Sequence, residues 1–139
     1  MYSRKGANTY ASVGVETGVM SASPHQLIVM LFDGALAAMK KARWALESGD
    51  IAARGSAISK AIDIVDNGLK SALDLDKGGE LAERLYSLYD YISRSLLKVN
   101  RTRDGELLTH VEQLLADIAG AWKEIGPTVN HPPVAKAQA

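Results

Sequence analysis

The chain has 139 residues and a mass of 14.9 kDa, which fits one domain and excludes a catalytic domain with a separate accessory domain. Sixteen lysines and arginines balance sixteen aspartates and glutamates, so no net basic field attracts nucleic acid or an anionic membrane. The absence of cysteine excludes a disulfide framework and a cysteine-ligated metal centre. Because the sequence shows neither a signal peptide nor a membrane-spanning apolar run, we expect a cytoplasmic protein without membrane insertion.

The first predicted helix starts at Ser23, which is a good cap residue. Pro24 suits the first turn, and Gln26 completes a capping box with Ser23. Apolar residues then recur at spacings of three and four, which predicts a helix over 24–47 that stops before Gly49. Its expected buried stripe consists of Ile28, Phe32, Ala35, Met39, Ala42 and Leu46.

The second predicted helix is capped by Asp50 and runs from Ile51 to about Leu73. Gly55 and Gly68 are costly in a helix, so they indicate either close packing against a neighbour or a softer helix. The expected stripe consists of Ile51, Gly55, Ile58, Ile62, Val65, Leu69 and Ala72. A loop is expected over 74–79, because paired glycines favour irregular backbone.

The third predicted helix covers 80–99, and a short connection over 100–103 leads to a fourth helix capped by Asp104. Gly126 and Pro127 end the fourth helix. The third stripe consists of Leu81, Leu85, Leu88, Ile92 and Leu96, and the exposed side offers the pairs Glu80–Arg84 and Asp90–Arg94. The fourth stripe consists of Leu108, Val111, Leu115, Ile118, Trp122 and Ile125.

Four helices with short connections predict an all-α fold, an antiparallel up-and-down four-helix bundle over 23–126. Residues 1–22 form an amino-terminal arm, and residues 127–139 form a disordered tail. The arm holds Tyr10, Val13, Val15 and Met20, too much apolar content for a solvated segment. Either it packs as a flexible lid over a binding groove, or Tyr10 simply fixes the terminus to the bundle.

The sequence lacks the residue patterns of catalysis. A di-iron bundle needs Glu-x-x-His pairs, whereas His25, His110 and His131 are scattered. Asp33 is interpreted as a structural carboxylate rather than a buried general base, and no glycine-rich loop has the lysine of a phosphate site. We therefore expect no enzyme activity and no cofactor, and the basic cluster Lys40, Lys41 and Arg43 is too small to indicate nucleic-acid binding.

The first two helices carry apolar or small residues on a second face. These residues either contact both neighbours in the core or line a shallow groove for an amphipathic segment of another chain. On periodicity alone, Leu31, Ile64 and Gly68 are the candidate groove residues. The tyrosines Tyr86, Tyr89 and Tyr91 fit either a core or an interface.

Several blocks in a fixed order carry a family resemblance. They are V-G-V-E behind Tyr10, S-A-S-P-H-Q-L-I-V-M-L-F-D-G at 21–34, S-K-A-I-D-I-V-D-N-G-L at 59–69, K-G-G-E-L-A at 77–82, L-Y-D-Y at 88–91 and A-W at 121–122. With these blocks the chain resembles the flagellar secretion chaperone FliS family over about residues 1–125. The combination of these blocks is specific to the family, whereas one block alone would be weak evidence for it.

The resemblance implies a cytosolic export chaperone. Such a protein binds the disordered carboxy-terminal region of flagellin, prevents premature polymerisation and aids delivery to the flagellar type III export apparatus. In the family the arm acts as a lid, which implies that Tyr10, and more weakly Val15, contribute to partner binding. Some members of the family have other flagellar regulators as partners, but no residue of this sequence indicates that role. The alternative from another class is a self-associating helical bundle or adaptor, a homodimer with no flagellin client.

Overall fold

The computed structural model describes residues 22–126, which form four helices. Their bounds are α1, Pro24–Ser48; α2, Ile51–Ile64; α3, Gly79–Thr102; and α4, Gly105–Ile125. Helix α2 continues without a break into a π-helical segment, Val65–Lys70, called the π segment below. The predicted all-α fold is confirmed. Tyr10, Val15 and the predicted lid and tail lie outside the described residues.

Side-chain hydrogen bonds explain where α1, α2 and α4 start. Ser23 and Gln26 form the predicted capping box, in which each side chain accepts a hydrogen bond from the backbone of the other, at 3.1 and 2.9 Å. Asp50 and Asp104 each accept a hydrogen bond at 3.0 Å from the backbone N–H three residues later. Gly49 ends α1 in a left-handed conformation, φ 76°, that glycine adopts without strain.

The helices follow one another around the bundle. Each packs against its successor in the chain, and α4 returns to pack against α1, which gives the antiparallel up-and-down order that the sequence predicts. Burying one large apolar side chain contributes about 1.5–3 kcal/mol, so the central core dominates stability. Its largest members are Phe32, Met39, Ile58, Ile64, Leu69, Ile92, Leu96, Leu108 and Leu115.

Two predicted helix bounds are wrong. Helix α3 continues through Thr102, so most of the connection expected at 100–103 is helical. It ends because Arg103 takes a left-handed conformation, φ 60°, and donates its N–H to the carbonyl of Val99 at 2.7 Å. The second helix ends at Lys70 rather than near Leu73, and its last six residues are π-helical.

Two residues assigned to buried stripes are exposed instead. Ile51 is 70% exposed and Leu81 is 51% exposed. Both lie in the first turn of their helices, at the ends of the bundle, where neighbouring helices no longer cover them. The exposed pairs Glu80–Arg84 and Asp90–Arg94 are confirmed, with N–O distances of 3.8 and 3.0 Å.

Candidate partner-binding pocket

The three groove residues predicted within the described chain lie in the contact between α1 and the second helical element. Ile64 is only 2% exposed and belongs to the core, because it packs towards Gly34 of α1. Leu31 is half-buried and lies against Gly68, so close that a Cβ on this glycine would be 3.0 Å from Leu31 Cδ2. The structure brings all three to one helix–helix contact rather than to an open groove.

An open apolar pocket lies instead at the end of the bundle where α1 begins and α4 ends. Its volume is about 180 Å³. Helices α1, α3 and α4, the π segment and the two residues Ala72 and Leu73 contribute, and the polar side-chain groups of the lining are the Tyr89 hydroxyl and the Trp122 indole N–H. The lining residues are Ile28, Phe32, Leu69, Ala72, Leu73, Leu81, Leu85, Tyr89, Ile118, Ala121, Trp122 and Ile125.

One wall of the pocket is fixed by a reciprocal contact between α1 and α4. The rings of His25 and Trp122 stack with centroids 4.9 Å apart and planes at 13°. Trp122 Nε1 donates to the carbonyl of His25 at 3.1 Å, and His25 Nε2 donates to the carbonyl of Trp122 at 2.8 Å. These two hydrogen bonds satisfy polar groups that would otherwise be costly beside an apolar surface.

Tyr89 contributes to the pocket wall that α3 and the π segment form, and it is 3% exposed. Its ring lies 6.5 Å from that of Phe32, in a tilted arrangement. Burial raises the pKa of the Tyr89 hydroxyl, because the phenolate is poorly solvated there. The side chain therefore stays neutral and supplies mainly apolar surface to the pocket.

A charged network holds the π segment against α3 and so fixes this wall. Lys70 contacts the carboxylates of Asp90 at 3.2 Å and Asp66 at 3.5 Å, and its Nζ lies 4.9 Å from the centre of the Tyr86 ring. Ser93 donates its hydroxyl to Asp66 at 2.6 Å. Burial alone lowers the pKa of Lys70, but the hydrogen bond with Asp90 and the two carboxylate charges outweigh it, so that the pKa is raised.

Exposed leucines lie at the start of α3 and in the loop before it. Leu81 lines the pocket and is half-exposed, and Leu75 is exposed in the preceding loop. Asp74 accepts hydrogen bonds from two backbone N–H groups of that loop, each at 3.0 Å, and these bonds order the loop. Such a surface suits the apolar side chains of another polypeptide.

The carboxylate and the histidine that the sequence analysis considered as possible sites make ordinary surface contacts. Asp33 is exposed and pairs with Lys123 at 3.0 Å. His110 is exposed, and its ring and that of Tyr91 lie edge to face with their centroids 5.9 Å apart. Within residues 22–126 no group of His, Cys, Asp or Glu side chains is arranged to hold a metal ion. In the same part of the chain, no helix combines the length and the apolar character that crossing a membrane requires.

The pocket was not predicted as a site, although most of its lining residues were on the predicted stripes; Leu73, Tyr89 and Ala121 were not. Ile28, Leu69, Leu85 and Trp122 each belong to the stripe of a different helix. Their positions in the sequence could have indicated the pocket, because all four lie near helix ends that meet at the same end of an up-and-down bundle. There the helices end before their stripes are fully covered, which leaves the pocket open.

Comparison with known proteins gives consistent matches along the chain. Residues 6–129 match the family model described as Flagellar protein FliS. The flagellar secretion chaperone FliS of Salmonella typhimurium (strain LT2) is 57% identical over 127 residues, covering 91% of this chain and 94% of the relative. That of Escherichia coli (strain K12) is 43% identical over 136 residues, covering 96% and 100%. That of Bacillus subtilis (strain 168) is 29% identical over 109 residues, covering 78% and 80%.

The family match includes all four helices and every residue that lines the pocket. The matched relatives are named as secretion chaperones, and the family is one of chaperones rather than enzymes. The order of sequence blocks, the helical bundle and the matches agree, and the chain therefore belongs to the FliS family of flagellar secretion chaperones.

Proposed function

We propose that this chain binds the disordered carboxy-terminal region of flagellin in the cytoplasm, with the apolar pocket as an anchoring site. Binding there prevents flagellin from polymerising prematurely and helps to deliver it to the flagellar type III export apparatus. The observation that carries the proposal is an open pocket of about 180 Å³, almost wholly apolar, in a member of a secretion chaperone family.

The form of the pocket supports a polypeptide client. An unfolded client has its apolar side chains in water, and burying them against the pocket lining stabilises the complex by about 25 cal/mol per Å². Because a disordered segment loses conformational freedom when it binds, it needs more contact area than the pocket alone offers. Leu81 lines the pocket and is 51% exposed, so it extends the apolar surface outward, where further client residues can lie.

We also propose that the amino-terminal arm covers the pocket in the absence of client. Tyr10 and Val15 are its candidate contacts, by resemblance to the family. The described chain starts at residue 22, immediately before α1, and Ile28 in the second turn of α1 lines the pocket. An arm that enters the bundle here has a short path to the pocket mouth, and a client displaces it when its own contacts are stronger.

Leu31, Ile64 and Gly68 remain proposed contributors to partner binding through the α1–α2 contact. Leu31 is the one of the three with an appreciable exposed apolar side chain. Ile64 is buried, so Ile64→Asp is expected to unfold the bundle and cannot report on client binding. Leu31→Asn is the milder probe, and we expect it to weaken client binding less than a change at the pocket itself.

Leu81→Asp is the main test. The change places a charge at the pocket rim and removes a leucine contact worth about 1.5–3 kcal/mol, so we expect flagellin affinity to fall about tenfold to a hundredfold. Leu81 is 51% exposed, and the free energy of unfolding should therefore change little. Isothermal titration with a peptide from the carboxy end of flagellin measures the affinity, and urea unfolding measures the stability.

The matched control is Leu97→Asp, because Leu97 is similarly exposed on the same helix but does not line the pocket. It should bind flagellin as the unchanged protein does. Equal affinities for Leu81→Asp and the unchanged protein would place the client elsewhere on the bundle. If the unchanged protein shows no affinity and sediments as a tight dimer, the self-associating bundle replaces the chaperone proposal.

A further inference from the structure

The bundle separates charge along its axis, although the whole chain has no net charge. When each helix is divided near its midpoint, one half comprises 37–58 and 92–114, which we call the basic end. It carries eight basic and five acidic side chains. The remaining described residues form the pocket end, with five basic and ten acidic side chains. The two ends therefore have net charges of opposite sign.

The basic end also exposes a large aromatic residue. Trp44 is 74% exposed, on the solvent-facing side of α1. Lys40 and Lys41 precede it by four and three residues, and side chains at these spacings share one face of a helix. Ile51, which is 70% exposed, follows just across the turn at Gly49.

The two lysines beside Trp44 have charges that the rest of the described chain does not neutralise. Within residues 22–126 neither Lys40 nor Lys41 takes part in an ion pair. The neighbouring Arg43 differs, because it pairs with Glu112 and donates to Thr109 at 2.9 Å. Trp44 is therefore flanked by two ammonium groups that are available to an external partner.

We propose that this surface, formed by Lys40, Lys41, Trp44 and Ile51, docks an acidic segment of a partner protein. Carboxylates of the segment pair with the two lysines, and an apolar side chain beside them covers Trp44. Tryptophan is enriched among the residues that dominate protein interfaces, because it buries a large area with few rotatable bonds. Carboxylates with an adjacent apolar residue satisfy both features of the surface together.

The charge distribution favours a protein segment over a lipid surface. Glu47 and Asp50 lie between Trp44 and Ile51 in the chain, and a broad anionic membrane would approach them as well as the lysines. A peptide can place its few carboxylates opposite the lysines alone. The acidic pocket end repels such a segment, which directs it to the basic end and leaves the pocket open.

The fluorescence of Trp44 reports peptide binding at this surface. The probe is a synthetic 16-residue amphipathic peptide of glutamate and leucine, compared with a peptide in which every glutamate is replaced by lysine. The acidic peptide should shift tryptophan emission to shorter wavelength in a saturable titration, and the basic peptide should not. The shift should disappear in Trp44→Phe, and the affinity should fall at least tenfold between 50 and 500 mM salt.

Charge reversal locates the interaction. We expect Lys40→Glu with Lys41→Glu to weaken peptide binding at least tenfold, whereas Lys77→Glu with Arg84→Glu, an equal change at the pocket end, leaves it unaltered. Far-ultraviolet circular dichroism establishes that both variants are folded. The proposal is overturned if the two double variants weaken binding equally, if the acidic peptide produces no shift, or if only vesicles with anionic lipid produce it.

Discussion

Two glycines on the second helical element have opposite surroundings. A Cβ added to Gly55 would meet no atom within 4 Å, whereas a Cβ on Gly68 would lie 3.0 Å from Leu31 Cδ2. Of the two explanations that the sequence left open, close packing therefore applies to Gly68. At Gly55 the structure shows no such contact, so the glycine lowers the stability of α2 without a packing reason.

Alanine substitutions measure this difference directly. Gly55→Ala should raise the free energy of unfolding by about 0.5–1 kcal/mol, because alanine loses less backbone freedom on folding and adds no clash. Gly68→Ala should lack this gain or lower stability, since Leu31 must shift to admit the methyl group. Urea unfolding of both variants provides the measurement. Equal stabilisation by Gly55→Ala and Gly68→Ala would show that Leu31 shifts without loss of stability.

Arg54 shows what a hydrophobic pattern cannot predict. The side chain is only 8% exposed, yet it lies in a part of α2 where a charged residue is expected on the solvent side. It donates to the side-chain and backbone oxygens of Asn100 at 3.1 and 3.2 Å. The partner is 46 residues away, near the carboxy end of α3, where a cation also interacts favourably with the helix dipole.

Among the elements, the helices with polar caps were predictable and the π segment was not. Ser23, Asp50 and Asp104 mark helix starts through local hydrogen bonds that the sequence alone suggests. The π segment instead makes contacts with other elements, namely Leu31 of α1 and Asp90 of α3, and the local sequence does not indicate these contacts. The end of α3 was also predicted wrongly. Arg103 takes the left-handed conformation that ends the helix, whereas glycine is the residue that usually indicates this conformation.

The wall formed by the π segment and α3 makes stability sensitive to alkaline pH. Both Lys70 and Tyr89 have raised pKa values in the folded protein, against ordinary values of 10.5 and 10.0. Above about pH 10 the unfolded chain loses these protons while the folded chain keeps them. Stability contributed by these groups is therefore fully present below pH 10 and falls as the pH rises.

Tyr89→Phe isolates the tyrosine contribution. A tyrosine that titrates only when unfolded lowers the free energy of unfolding by up to about 1.4 kcal/mol per pH unit. Without the hydroxyl this part of the slope disappears, so the variant should lose stability more slowly between pH 10 and 11.5. Urea unfolding at several pH values measures the slope. Tyr91→Phe, at an exposed tyrosine, is the control and should keep the original slope.

For the whole molecule, the sequence predicted the bundle but not which surfaces remain free. Periodicity shows that one face of a helix is buried, yet it does not show which neighbour covers it. Periodicity therefore made Ile64 and Gly68 groove candidates, and in the folded chain both pack against α1. Leu81 was assigned to the core, and it instead stands at the rim of the pocket because α3 begins there.

The stacked pair His25 and Trp122 has a consequence for chain connectivity. Because it joins the first turn of α1 to the last turn of α4, the bundle should tolerate a circular permutation that links residues 22 and 126 through a short glycine–serine bridge. New termini between Gly49 and Asp50 would open an exposed turn at the far end. The permuted protein should keep its helical circular dichroism and unfold cooperatively, whereas a permutant opened within α4 should not fold.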